Sequence, residues 1–166
     1  MSKKRILAAI MFTDIKGYTA LMHEDEKKAF ELRNRHRDTF QRTTELYNGE
    51  ILQYFGDGTL SIFRSTVEAV ECATEMQKAF LTELIPVRIG IHVGDIMYSH
   101  DGIVGDAVNI AARIESCADA GSVLISDKVH DHLRSHRHIK TQFLDAYEFK
   151  NVDEAIPIFA ISNEGL

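Results

Sequence analysis

The chain has 166 residues, 45% of them apolar and 27% charged, with a formal net charge of −6. That size and balance describe one ordinary domain able to bury about 70% of its unfolded surface, and they exclude a disordered or fibrous chain. No apolar run approaches the roughly 20 residues of a membrane helix, and an acidic chain without a basic stripe argues against a nucleic-acid binder.

Ile6 to Thr13 is a continuous apolar run of strand length, the pattern of a strand buried on both faces. It runs into Thr13-Asp14 with no small-residue cleavage site, so the basic Lys3-Lys4-Arg5 start does not make a secretion signal. The charged, periodic stretch from Thr19 to about Tyr47 predicts a single long helix. Leu21, Phe30, Leu32, Phe40 and Leu46 supply its apolar stripe, and Asn48-Gly49 ends it. Glu50 to Phe55 and Thr59 to Phe63 flank Gly56-Asp57-Gly58 and read as a hairpin. Ser65 or Thr66 caps a second helix running to about Leu84, with Val67, Val70, Ala73, Met76, Gln77 and Phe80 at helical spacing.

Beyond Pro86, Val87 to Val93 reads as a strand ending in a loop from Gly94. Ala107 to Ala118 is a short helix, Ser122 to Ser126 a strand, and Asp127 to about Ser135 a helix. Thr141 to Lys150 and Ile156 to Ile161 close the chain as strands. The order strand-helix-strand-strand-helix-strand, followed by additions, predicts an α+β fold with a ferredoxin-like βαββαβ core and helices on one sheet face. One domain over 1–166, with a core of about 6–161, is expected. Cys72 and Cys117 lack metal-site spacing and read as reduced thiols of a cytoplasmic protein.

Two aspartates stand out. Asp14, in Phe12-Thr13-Asp14-Ile15-Lys16-Gly17-Tyr18-Thr19, follows a strand and precedes a helix, so amides of Ile15 to Thr19 can face a phosphate. Asp57 sits at the hairpin tip. If their strands are neighbours, the two carboxylates reach one edge and suit Mg²⁺ or Mn²⁺. Asn109 and Arg113 lie at i and i+4 on one helix face, an amide and a permanent cation suited to a developing negative charge. Lys150 ends a strand within reach of a triphosphate. Each has an ordinary structural explanation too: a cap, an Asp-Gly turn, an Arg113 pair with Glu115 or Asp106, an exposed lysine. His130, His132, His136 and His138 have no Glu placed as a metalloprotease helix requires, and Arg134 and Arg137 repel a cation, so a solvated helix end is expected.

Taken in order, Phe12 to Thr19, Gly56-Asp57-Gly58, Arg88-Ile89-Gly90-Ile91-His92-Val93-Gly94, Gly105 to Arg113 and Lys150-Asn151-Val152-Asp153 resemble the catalytic domain of class III nucleotidyl cyclases, the adenylyl and guanylyl cyclases. The resemblance covers Ile6 to about Ile161. It implies conversion of a nucleoside triphosphate to the 3′,5′-cyclic nucleotide and pyrophosphate. It further implies that Asp14, Asp57 and the Ile15 carbonyl hold two Mg²⁺ or Mn²⁺ ions, and that Gly17, Tyr18 and Thr19 lie against the substrate. By the same resemblance Asn109 orients the ribose, Arg113 stabilises charge at the α-phosphate and Lys150 meets the terminal phosphates. In that family the aspartates come from one subunit and the Asn, Arg and Lys from the other, so a head-to-tail homodimer is implied.

The departure lies in base selection. Gln53 stands where adenylyl cyclases of this kind have Lys, and Gly102 where Asp or Thr is typical, with Asp101 next door; guanylyl cyclases carry Glu and Cys instead. A Gln amide can pair with adenine or, flipped, with guanine. The resemblance favours ATP, with GTP as the runner-up substrate. A degenerate cyclase-homology domain that binds nucleotide or a partner is the competing reading.

Overall fold

The computed structural model of the chain describes residues 3–166. The first strand, β1 (Lys4–Ile15), is followed by two helices, α1 (Tyr18–Glu24) and α2 (Glu26–Leu46), where the sequence predicts one. Asp25 makes the break. Its backbone leaves the helical region (φ −153°, ψ 86°), and its side chain accepts from the Lys28 amide at 3.2 Å, capping a new helix. The buried face of α2 is also more polar than the predicted stripe. Phe40 is buried, but beside Ala29, His36, Thr39, Thr43 and Thr44, while Leu46 is exposed. Asn48 adopts φ 63° where the helix ends.

The hairpin β2 (Glu50–Tyr54) and β3 (Gly58–Phe63) forms as expected, and Ser65 caps α3 (Thr66–Thr82) through the Glu68 amide at 3.2 Å. The next strand, β4 (Val87–Ser99), runs straight through Gly94, where a loop is expected, and pairs back with a short β5 (Gly102–Val104). Then come α4 (Asp106–Ser116), β6 (Val123–Ser126), α5 (Asp127–His132), β7 (Thr141–Tyr147) and β8 (Ile156–Ile161). Both α5 and β7 stop three residues short of their predicted ends.

These strands form one eight-stranded sheet in the order β2-β3-β1-β4-β6-β8-β7, with β5 on β4. The first four, β2-β3-β1-β4, are antiparallel and give the ferredoxin-like core; β4 and β6 run parallel. Alternation along β1 separates two apolar layers. Ala9, Met11 and Ile15 pack with Phe40, Val70, Met76 and Phe80 of the α2 and α3 side. Ala8 and Ile10 pack with Leu60, Ile62, Ala107 and Ala111 on the other side. Helices therefore cover both faces, not one, and α4 has the second face largely to itself.

That docking depends on small residues in β4. A Cβ on Gly90 would lie 2.3 Å from the Glu115 nitrogen, and one on Gly94 would lie 2.8 Å from the Ala107 Cβ. Only glycine lets the helix backbone come this near at Gly90.

Candidate active site

Asp14 lies near the end of β1, opposite Gly58 of β3 and Arg88 of β4. Directly opposed residues share a face, so Arg88 rises beside the carboxylate. Its Nε and Nη2 donate to the two oxygens of Asp14 at 2.7 and 2.5 Å, a bidentate fork. The third nitrogen donates to the Ser116 carbonyl at 3.3 Å, and Glu115 stands 3.8 Å from the guanidinium. Arg88 thus joins Asp14 to the C-terminal end of α4. Its pairing with Asp14 raises the guanidinium above its ordinary pKa.

Asp57 follows at the hairpin tip. The Ile15 amide donates to its carbonyl at 3.2 Å, so the loop is tied to the end of β1 next to Asp14. Burial raises the Asp57 carboxyl above the usual carboxylate range, and the charge of Asp14 adds to this; backbone amides and Arg88 pull the other way. Glu115 is raised as well, first by burial and then by Asp14, with which it shares Arg88. Three carboxylates crowd one guanidinium. An edge built from two aspartates and a backbone carbonyl is a hard-oxygen donor set, the chemistry Mg²⁺ and Mn²⁺ prefer, with water and phosphate filling the remaining positions. Among the described residues no three His, Cys, Asp or Glu side chains are gathered to hold an ion by themselves.

At the start of α1, Gly17 takes a left-handed conformation (φ 76°), and no side chain caps the helix. The amides of Ile15 and Lys16 are already engaged, by Asp57 and by the Pro86 carbonyl at 2.7 Å. The first-turn amides near Tyr18 and Thr19 remain for an anion, because an uncapped helix start leaves donors to satisfy. The Tyr18 ring is buried in the core, so only its backbone faces outward.

Asn109, Arg113 and Lys150 meet elsewhere. With Asp106, Ile110 and Asn151 they line a cavity of about 230 Å³ between α4 and the loop after β7. Among the described residues Arg113 pairs with neither Asp106 nor Glu115; the latter turns to Arg88 instead. Gln53 and Gly102 also come together, in a third place, a cavity of about 370 Å³ that Tyr98, Ser99, His100 and Asp101 help to line. A β-bulge accomplishes this. Ile51 opposes Ser61, but Gln53 opposes Leu60, so one extra residue turns Gln53 onto the α4 side of the sheet.

The structure therefore gathers the predicted residues into three groups, and Asp14 and Asp57 do not line the cavity of Asn109, Arg113 and Lys150. Sequence reading gave Arg88 no role beyond its place in a cyclase-like segment, and Glu115 none beyond a pairing with Arg113. The one signal available was an arginine at a strand start, which becomes meaningful only once register sets it opposite Asp14. The four late histidines gather around no common centre, and His132 and His138 lie exposed as a solvated helix end implies, while three of the four have a partner of their own. His132 meets Thr66 at 2.8 Å, His138 meets Glu71 at 2.9 Å, and His130 stacks flat on Phe159 at 4.0 Å.

The sequence model of the adenylate and guanylate cyclase catalytic domain matches residues 2–162. A putative adenylate cyclase 3 from Rhizobium meliloti (strain 1021) is 37% identical over 172 residues, covering 97% of this chain. The chain spans only 29% of that relative's length. The solved adenylate/guanylate cyclase/hydrolase from Silicibacter pomeroyi is 30% identical and covers 98% of this chain and 100% of its own, with a TM-score of 0.90. An adenylyl cyclase from P. aeruginosa covers both chains fully at 22% identity and a TM-score of 0.89, a likeness of fold.

Proposed function

The chain belongs to the adenylate and guanylate cyclase catalytic domain family, and from that membership we propose that it converts ATP to the 3′,5′-cyclic nucleotide and pyrophosphate at sites shared by two copies. The observation that carries this reading is the convergence of Asn109, Arg113 and Lys150 on one cavity, apart from the Asp14 and Asp57 edge. A half-site with donors for ribose and phosphate, and a second half-site with carboxylates, make a whole only when two chains face each other. Partly buried Ile6, Phe12, Leu52, Tyr98, Ile103 and Val108 fringe the α4-side layer and give such a partner apolar surface to cover.

In the proposed reaction the ribose 3′-oxygen bonds to the α-phosphorus, the bond to the β-phosphate oxygen breaks, and the hydroxyl proton is released. Asn109 orients the ribose ring. Arg113, charged at every relevant pH, holds the negative charge that builds at the α-phosphate, and Lys150 holds the terminal phosphates. First-turn amides from Gly17 to Thr19 face the phosphate chain. Asp14, Asp57 and the Ile15 carbonyl would hold two Mg²⁺ or Mn²⁺ ions, which supply acidification of the 3′-hydroxyl and neutralisation of the triphosphate. Arg88 must release Asp14 for this, and Glu115 and the Ser116 carbonyl are its waiting partners. Gln53, with Asp101 beside Gly102, would meet the base. The adenylate cyclase name of the Rhizobium meliloti relative supports ATP over GTP, and two free thiols suit a reducing cytoplasm.

Purified chain incubated with Mn²⁺ and either ATP or GTP should yield cyclic AMP and pyrophosphate, with far less product from GTP. A second reading, a regulatory module that binds nucleotide without turning it over, draws on Gln53 and the missing side chain at Gly102. Absence of cyclic product from both nucleotides, at concentrations where the dimer is confirmed, would overturn the first reading and favour the second.

A further inference from the structure

The helix α2 sits behind the carboxylate edge, and two consecutive residues of it reach the strands and loop that carry Asp14 and Asp57. His36 is fully buried, and its Nε2 lies 2.9 Å from the Thr13 hydroxyl. Thr13 in turn lies 2.5 Å from the Thr59 hydroxyl. Thr13 precedes Asp14 in β1, Thr59 is two residues beyond Asp57, and the two threonines oppose each other in the sheet. The His36 Nδ1 has no partner, so the ring is assigned as the Nε2–H tautomer, donating to Thr13, which donates to Thr59. A continuous polar chain therefore links α2 to β1, which carries Asp14, and to β3, which begins just after Asp57.

Arg37 takes the other side of the same edge. Its guanidinium donates to the carbonyls of Phe55 and Gly56, at 3.2 and 3.5 Å, and lies 4.8 Å over the Tyr54 ring. These are the residues just before Asp57. The hairpin tip is otherwise held by the Phe55 amide on Gly58 at 2.9 Å and by the Ile15 amide on Asp57. A Cβ at Gly56 would meet nothing within 4 Å, so packing does not confine the tip from that side. A loop that must present a carboxylate at a fixed place, with open space beside it, needs tethers of this kind.

We propose that His36 and Arg37 are positioning residues for the carboxylate edge: α2 fixes the distance between Asp14 and Asp57 by clamping the two strands through His36 and the hairpin tip through Arg37. The inference rests on the reading of that edge as the cation site. Neither residue touches substrate or ion; both act through the backbone that carries the ligands.

Arg37 offers the cleaner test, since His36 is buried and its removal endangers folding. In Arg37→Met the stem still covers Tyr54 but the carbonyls lose their donor, whereas Arg37→Lys restores one donor. Hydrogen exchange of the Phe55 to Gly58 amides and Mn²⁺ binding to the nucleotide-free chain are the two readouts. Arg37→Met should speed that exchange about tenfold and weaken Mn²⁺ binding about tenfold, with thermal unfolding within a few degrees of the parent. Arg37→Lys should recover part of both. Unchanged exchange would overturn the tether. Faster exchange with unchanged Mn²⁺ affinity would overturn its link to the cation site. Asp57→Ala separates the two claims: if it binds Mn²⁺ as well as the parent, the cation reading fails and the positioning role falls with it, whatever the exchange shows.

Discussion

Arg88 is the residue on which the geometry turns. A bidentate guanidinium on Asp14 satisfies a carboxylate that would otherwise sit against Asp57 and Glu115 with nothing to offset the charge. The same fork would compete with a divalent ion for the same oxygens at the proposed cation site. Arg88→Ala should therefore tighten Mn²⁺ binding to the nucleotide-free chain, by about tenfold if one charge-assisted hydrogen bond is removed from the competition. Titration of both proteins with Mn²⁺ checks this, and equal affinities would show that the pair does not guard the site. Two buried histidines give the chain a pH dependence of its own. Burial lowers His36 and His92 from 6.5 to about 4. Below pH 6.5 the unfolded chain takes up protons at these rings while the folded chain does not, so their contribution to stability falls as pH drops toward 4. The raised carboxyls of Glu115 and Asp57, which take up protons first in the folded chain, oppose this. Each ring should cost about 2 kcal/mol between pH 7 and pH 5. Denaturant unfolding at the two pH values measures it. His92→Asn, which keeps an amide near Ser126, should flatten the slope; an unchanged slope would remove His92 from the account.

Among the elements, α4 does the most to build the site, and β4 decides where it lies. Gly90 and Gly94 open the groove, and Glu115 and Ser116 come to rest over Arg88. In Gly90→Ala the new methyl meets the Glu115 backbone, so the helix must shift outward. A loss of about 3 kcal/mol in unfolding free energy is expected from such overpacking, together with a fall in cyclase activity. Chemical denaturation checks the first, and a variant as stable as the parent would mean that α4 docks elsewhere. Much of this was legible beforehand. Periodicity located the core strands and helices, and the Asp14 and Asp57 segments named the carboxylate edge. What stayed hidden depended on partners distant in sequence. The break at Asp25 is a cap inside a charged run, the extra length of β4 depends on pairing with β1, and buried His36 meets Thr13 and the Phe80 ring, both far from it in sequence. The bulge that turns Gln53 toward Leu60 has no mark in Glu50 to Tyr54. A helix on each face could not be foreseen from element order, since order is silent on which face a late helix covers.

At the scale of the whole molecule, one chain holds both halves of the proposed catalytic centre but keeps them apart. Its α4 presents Asn109 and Arg113 to one cavity and, at its far end, Glu115 to the Arg88–Asp14 pair. A two-fold dimer with the halves facing would contain two equivalent composite sites. Asp14→Ala and Arg113→Ala should each be inactive alone, since each spoils both sites of its own dimer. When the two variants are mixed and allowed to exchange subunits, half of the dimers carry one intact site. Activity should return to about a quarter of the parent level. A mixture that stays inactive, with mixed dimers demonstrated in solution, would contradict the shared site.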